Sequence, residues 1–434
     1  MIKLPKDVND IIKKLNENRF DCYAVGGCVR DAMLGLKPLD WDLTTNARLE
    51  DLKEIFPEAQ VLSEDYSVVR LDFTTSEDDN KNPIVDIATF RSEKNFEKYG
   101  KPSDVTFVDK IEDDLSRRDF TINAMADNPQ KKFVDPYGGK KDVTKKIIRA
   151  IGNPDDRFAE DPIRIMRGIR FAAEKGFQIE EVTLESMKRN SYRLAEISVE
   201  KIRDEFIKLM GARFTGSGIG YMMETGAIIA VGGSSLEKLV GKKKVLFNKF
   251  MRNIDSTYPV ATRRMGVFFS LIGGSRGAAA IESLNFDKKT KTYLLDAIYS
   301  IDKLGVAKKD FELKDFMYEY GLSRYTYMDK LAQDKVVIYE GSPRRVNKRA
   351  ELIKRFETMN EPIFAEDLVI DGNDLKEIGL KGEEIGIVID ALVTEVHRKP
   401  HRNNRQTLME LAEGYKKNPM KAKIRNNTWI KRLN

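Results

Sequence analysis

Residues 23–45, YAVGGCVRDAMLGLKPLDWDLTT, constrain this chain more than any other stretch. Tyr23, Ala24 and Val25 read as a short apolar strand, Gly26 and Gly27 as a turn, and the residues around Arg30 and Asp31 as a helix. A second strand follows, with Asp40 and Asp42 at alternate positions. Side chains alternate across a strand, so these two aspartates share one face and Trp41 takes the other. Glycines let backbone N–H groups come close to a ligand with no Cβ in the way, Arg30 offers a planar fork, and paired carboxylates are hard oxygen ligands. A Gly-Gly turn alone and an Asp-x-Asp alone are both common. Their conjunction over so short a span predicts a site for a divalent cation and a phosphorylated ligand.

The rest of the composition narrows the chemistry. His397 and His401 are the only histidines and both lie near the C-terminus, so acid–base chemistry near Asp40 has to run on carboxylates, cations and metal. Two cysteines, Cys22 and Cys28, cannot build a disulfide-rich secreted fold. No apolar run is long enough to cross a membrane as a helix, and the opening MIKLPKDVNDIIKKL lacks the apolar core of a signal peptide, so the expectation is a cytoplasmic protein with no membrane partner. At 434 residues the chain has room for two to four domains. A net charge of +6 favours a nucleic-acid partner only slightly, but residues 416–434 hold seven Lys or Arg and no acid, with Tyr415 and Trp429 nearby. That tail reads either as a phosphate-backbone contact or as a solvated terminus.

In chain order, residues 5–19 predict an amphipathic helix and RLEDLKEIF a second one. AQVLSE, SVVRLDF and PIVDIATF predict strands, with SEDDNKN as a hairpin loop. On the last strand Asp86 sits between Val85 and Ile87, where a charge is costly without a partner. It is either a third carboxylate beside Asp40 and Asp42 or an edge-strand residue facing solvent. Residues 91–116 are charged and weakly apolar, suiting a mobile loop over a site. RRDFTINAMA at 117–126 predicts a helix start with Arg118 and Asp119 at its mouth, and FVDPYGG at 133–139 a strand and turn closing the first domain.

From about Lys145 the periodicity becomes helical and stays so. Within 157–177, Asp161, Arg164, Arg167 and Arg170 recur every three residues, while Ile165, Met166, Ile169, Ala172 and Ala173 fall in an arc of roughly 120° that packs inward. Asp161 and Arg164 are neighbours. An acceptor and a donor side by side can pair with the edge of cytosine or adenine, which offer an amino group next to a ring nitrogen, and refuse uracil and guanine. The bland alternative is a surface ion pair. SVEKIRDEFIKLM at 198–210 predicts a helix capped by Ser198, residues 211–234 a Gly-rich interval that includes a VGGSS linker, and 367–398 helices whose Gly379, Gly382 and Gly386 would either bring two helices close together or let backbone approach a phosphate.

Taken together, GGCVRD (26–31), LDWDLTT (39–45), VDIATFR (85–91), RRDFTINAMA (117–126) and AEDPIRIMRGIRFA (159–172) resemble the successive motifs of the class II CCA-adding tRNA nucleotidyltransferases, a branch of the polymerase β superfamily. The resemblance is dense over the first 210 or so residues and weaker beyond. It implies an α+β protein: a polymerase β-like mixed-sheet nucleotidyltransferase head (1–145), then an all-α neck (146–210), body (211–360) and tail (361–434) holding the acceptor end of tRNA. It implies that Asp40 and Asp42 bind magnesium, that Asp86 serves the attacking 3′-hydroxyl, and that Gly27, Arg30 and Arg118 hold the triphosphate. Asp161 and Arg164 would template the base with Glu160 bracing them, Arg167 and Arg170 would complete the nucleotide site, and Asp119 and Asn123 would lie near the ribose.

Two departures stand out. The third carboxylate, often Glu in the family, is here the shorter Asp86, and Asp65-Tyr66 replaces a His-Gly pair common among relatives. The expected reaction is two-metal transfer of C, C and A from CTP and ATP to the tRNA 3′ end, by a monomer or homodimer. CC-only or A-only addition and bacterial poly(A) synthesis share the same head, and the full-length 91–116 segment favours complete addition. An inactive tRNA- or nucleotide-binding relative would have lost a metal carboxylate or the Asp161–Arg164 pair.

Overall fold

The computed structural model describes residues 2–38, 40–73, 84–97, 101–233, 242–307, 309–340 and 344–426. The SEDDNKN loop, the two serines of the VGGSS linker and the tail beyond residue 426 lie outside them. The chain divides into two compact units, Met1–Lys238 and Leu239–Asn434.

The first unit is α+β. Its strands are β1 (Cys22–Val25), β2 (Asp40–Thr45), β3 (Gln60–Ser63), β4 (Val68–Asp72), β5 (Ile84–Thr89), β6 (Arg91–Glu97), β7 (Lys101–Phe107), β8 (Ala126–Asp127), β9 (Ile147–Ile148) and β10 (Gln178–Ile179), the last two a short parallel pair inside the stretch expected to be all helical. Six of them form one sheet in the order β3-β4-β5-β2-β1-β8. The sheet is mixed, β2 and β5 being parallel and the other pairs antiparallel. Period-two alternation sorts its faces. Trp41, Leu43, Val69, Leu71, Val85 and Ile87 are buried on the inner side, leaving the alternate positions to the other face. Helices Lys6–Glu17 and Leu49–Ile55 form where the spacing predicts, burying Val8, Ile11, Ile12, Leu15, Leu49 and Leu52.

Several expectations change. Residues 91–97 and 101–107 are not a loop but two paired antiparallel strands, β6 and β7, in which Arg91 opposes Phe107 and Glu93 opposes Val105. A short helix, Ile111–Ser116, follows. The dense charge there hid a period-two pattern whose apolar members are few. Residues 117–126 are not the start of an α-helix. Phe120 bridges Ala150, Thr121–Asn123 make a single 3-10 turn, and Ala126 bridges Val134. All of residues 120–127 are buried, so no polar face exists for a helix to turn to water. Residues 133–139 contribute that one bridge at Val134 rather than a strand, and Gly139 opens the helix Gly139–Lys145.

The 157–177 segment is two helices, Pro154–Glu160 and Ile163–Lys175, not one. Pro162 forces the break: the residue before a proline is pushed out of the helical region, and Asp161 has φ −146° and ψ 97°. The arginine side of the second helix is not a solvated face either, since Arg164 and Arg170 are buried. Helix Val199–Met210 packs against it, with Ser198 at the N-cap position but no side-chain cap bond. The Gly-rich interval is mostly helical, Thr215–Thr225 and Ile229–Gly232.

The second unit is helical throughout its described residues. Phe268 meets Phe247 and Phe269 edge to face and Phe250 at a tilt in one core, and Leu375, Val388, Leu392, Val396 and Leu408 anchor another. Of the three glycines singled out there, Gly379 and Gly382 have positive φ and permit turns, whereas a Cβ at Gly386 would meet open space, so no close helix approach depends on it. His397 is buried and structural, its Nδ1 2.7 Å from Asp315 and its Nε2 2.8 Å from the Ile363 carbonyl. Within the described tail, Lys416 donates to the Ile378 carbonyl and Arg425 pairs with Glu395.

Candidate active site

Strand register assembles the acidic cluster. Asp42 lies directly opposite Asp86 on the parallel neighbour β5, and Arg70 lies opposite Asp86 on the antiparallel neighbour β4. Opposed residues point to the same face, so Arg70, Asp86 and Asp42 form a row across three strands, with Asp40 two residues along β2. β5 is interior to the sheet, which removes the edge-strand reading of Asp86. Its charge is met by Arg70, which donates from Nε to Oδ1 at 2.7 Å and from a terminal nitrogen to Oδ2 at 2.8 Å.

Asp42 is exposed, yet the protein around it takes away enough hydration to raise its carboxyl above the usual carboxylate range; Asp86 and Asp40 push the same way and Arg118 opposes them. Crowded carboxylates of this kind fit a divalent cation. Among the described residues no three Asp, Glu, His or Cys side chains enclose a metal by themselves. Hard cations held by two carboxylates complete their shell with water and substrate phosphate, which suits the Asp40 and Asp42 pair.

The cationic side is built around Gly26. Its φ is +79°, and a Cβ there would come within 3.0 Å of the Arg118 guanidinium, so only glycine lets Arg118 lie against this turn. Arg118 donates to buried Asp114 at 3.1 Å, and its Nε has no hydrogen-bond partner among the described residues. Arg30 is buried rather than open, donating to Asn123 at 2.5 Å and to Asp31 at 2.8 Å. Gly27 opens the Gly27–Met33 helix beside it. Both cysteines flanking the turn are buried free thiols, and burial pushes Cys28 up to about 12.

Asp119 joins this region to the Ile163–Lys175 helix. Its Oδ2 accepts from Arg167 Nε at 2.8 Å, and its Oδ1 accepts from the Phe120 backbone at 2.8 Å and from Asn123 at 3.2 Å. Burial opposes its ionisation, but Arg167 and these hydrogen bonds outweigh burial and hold its carboxyl down at about 2. A second link runs from Lys175 to Asp31, 2.8 Å. Arg164 donates to Glu160 at 2.8 Å and to the Arg117 carbonyl at 3.0 Å. Asp161 accepts from the Ile163 backbone at 3.4 Å, and burial raises its carboxyl to about 6 against the pull of Arg164. Arg170 is engaged by Glu205 and Glu174 at 2.6 and 2.7 Å and lies over Phe171, so it supports the helix from within.

The structure therefore brings Asp40, Asp42 and Asp86 together, sets Arg118 by the glycine turn, and ties Arg30, Asn123, Asp119 and Arg167 into one network. It adds Arg70, Asp114 and Lys175, which the sequence did not single out. Arg70 alternates with Val69 and Leu71, so its outward face was readable, but not which carboxylate it would oppose. Tyr66 of the unusual Asp65-Tyr66 pair carries the Arg91 guanidinium 4.9 Å over its ring.

A family model described as the poly A polymerase head domain matches residues 22–149, and one described as a probable RNA and SrmB-binding site of polymerase A matches residues 176–231. The chain is 30% identical over 412 residues to a CCA-adding enzyme of Limosilactobacillus fermentum, covering 93% of this chain and 95% of the relative. It is 38% identical over 237 residues to that of Geobacillus stearothermophilus, covering 54% of this chain. The alignments span only about half the length of the Geobacillus and Ligilactobacillus salivarius relatives, 55% and 52%. Among solved structures, a Bacillus stearothermophilus CCA-adding enzyme in complex with CTP is similar with TM-score 0.77 and 25% identity over 95% of this chain and 98% of that one. A Thermotoga maritima CCA-adding enzyme complexed with tRNA shares the fold with TM-score 0.62 and 22% identity, over 95% and 96% of the two chains.

Proposed function

The chain belongs to the family of CCA-adding enzymes, and on that footing we propose that it adds C, C and A to the 3′ end of tRNA from CTP and ATP, with no nucleic-acid template. The observation that carries this reading is the strand register that sets Asp42 against Asp86 on one sheet face, beside Arg118, with Asp119 linking that region to the helix of Arg164 and Arg167. Residues 1–145 would carry the chemistry, 146–210 choose the base, and 211–360 and 361–434 hold the tRNA. The protein would work as a monomer or homodimer in the cytoplasm, a reducing compartment that suits its free thiols.

The tRNA 3′-oxygen bonds to the α-phosphorus as the bond to the β-phosphate breaks, and pyrophosphate leaves with the electron pair. Magnesium held by Asp40 and Asp42 would offset phosphate charge and lower the pKa of the attacking hydroxyl. Asp86 would accept the hydrogen bond of that hydroxyl and take its proton as the bond to phosphorus forms. Arg118, whose Nε is unpaired among the described residues, holds the triphosphate with the Gly27 backbone, and Arg30 acts one layer back, fixed by Asp31 and Asn123. Ionised Asp161 accepts from the exocyclic amino group of C or A, and Arg164, oriented by Glu160, donates to the ring nitrogen beside it. Arg167 extends the site, and Arg170 steadies the helix.

The full-length 91–116 segment, which holds the paired strands β6 and β7, favours full CCA addition over CC addition alone, and the intact carboxylates disfavour an inactive binding relative. The test is incubation with tRNA ending at the discriminator base. CC from CTP alone and CCA from CTP plus ATP support the proposal. Long A tracts from ATP alone would replace it with poly(A) synthesis.

A further inference from the structure

We propose that Arg70 is a positioning residue for nucleotidyl transfer, acting through Asp86 by fixing its carboxylate plane with a two-bond fork. The inference rests on the transfer reaction proposed above and adds a residue to it.

Three observations support it. Arg70, Asp86 and Asp42 are consecutive members of one cross-strand row, so the arginine stands directly behind the acid that faces the metal-binding strand. The fork is bidentate, 2.7 and 2.8 Å, one nitrogen to each oxygen, which removes the rotation a lone bond would leave. A carboxylate offers about four lone-pair sites, so two remain, and the fork decides where they aim. The side chains of Arg70 and Asp86 are 38% and 29% exposed, and pairs this open contribute little to folding. Stability therefore does not account for the pair, whereas position does. Asp86 is also a short acid, unable to correct its aim by flexing a second methylene, so a rigid neighbour matters more here than beside a glutamate. Asp40 and Asp72 are the further charges acting on Arg70.

The experiment compares wild type, Arg70→Ala, Arg70→Lys, Asp86→Asn and the Arg70→Ala/Asp86→Asn double variant, reading kcat and KM for CTP addition, equilibrium CTP affinity and the thermal midpoint. Arg70→Ala is expected to lower kcat by about 10- to 100-fold, the usual effect of removing a partner of a site carboxylate, with KM, CTP affinity and midpoint nearly unchanged. Arg70→Lys should recover only part, since lysine supplies charge without the fork. The double variant should be no slower than Asp86→Asn, because Arg70 then has no carboxylate to aim. An active wild type whose Arg70→Ala variant keeps its kcat, loses rate only as its midpoint falls, or slows the Asp86→Asn background by the same factor overturns the assignment. A wild type that transfers no nucleotide overturns instead the reaction on which it rests.

Discussion

Replacing Asp119 by Asn should cost the first unit about 2 kcal/mol near neutral pH. The carboxyl is 7% exposed and is held down at about 2 against an ordinary 3.8, a shift of nearly two units. At 1.36 kcal/mol per unit that is about 2.5 kcal/mol, and screening at Arg167, whose side chain is 39% exposed, trims it to about 2. Asn keeps the shape and an acceptor for the Phe120 backbone, so the loss is the charge. A depressed carboxyl contributes its full stability above the unfolded value and loses it as pH falls toward the folded one. The difference between wild type and variant should therefore shrink by about half at pH 3. Urea unfolding followed by Trp41 fluorescence, in a background where Trp429 is Phe, reports on this unit because Trp41 is buried in its sheet. A difference below about 0.5 kcal/mol at pH 7, or one that does not shrink with acid, would refute the electrostatic account.

Other outcomes follow from single distances. In Gly139→Ala the new Cβ would sit 2.2 Å from the Thr121 carbonyl oxygen, and since backbone cannot step aside, the thermal midpoint should fall by the equivalent of roughly 1–3 kcal/mol. Among the described residues, His397→Ala leaves buried Asp315 with only Arg398 at 3.4 Å, so the second unit should lose about 3 kcal/mol in denaturant unfolding. With Asp161 titrating near 6, kcat/KM for CTP should drop about tenfold between pH 7 and pH 5 as its acceptor is protonated, with a flat profile in Asp161→Asn. A raised carboxyl adds stability as pH falls below its folded value, so that decline cannot come from unfolding at this group.

The sequence made the local chemistry legible and left the pairings hidden. The two aspartates on one face needed only the two-residue period of a strand, and Asp86 needed only the oddity of a charge between Val85 and Ile87. Register is a non-local fact, so Arg70 as the partner of Asp86 emerged only when β4 met β5. The run from Phe120 to Ala126 defeated periodicity because it is buried on every side, and the Asp161-Pro162 break was present in the letters but was smoothed over by a three-residue repeat running through it. Arg170 shows the limit of counting cations: its spacing matches Arg164 and Arg167, yet Glu205 on another helix claims it.

What most directly tests the account is base choice without a template. The ratio of kcat/KM for CTP to that for UTP, on tRNA ending at the discriminator base, should be high in the wild type and should fall by about 10- to 100-fold in Asp161→Ala, with the residual transfer still dependent on Asp42. An Asp161→Ala enzyme that refuses UTP as firmly as the wild type would contradict it.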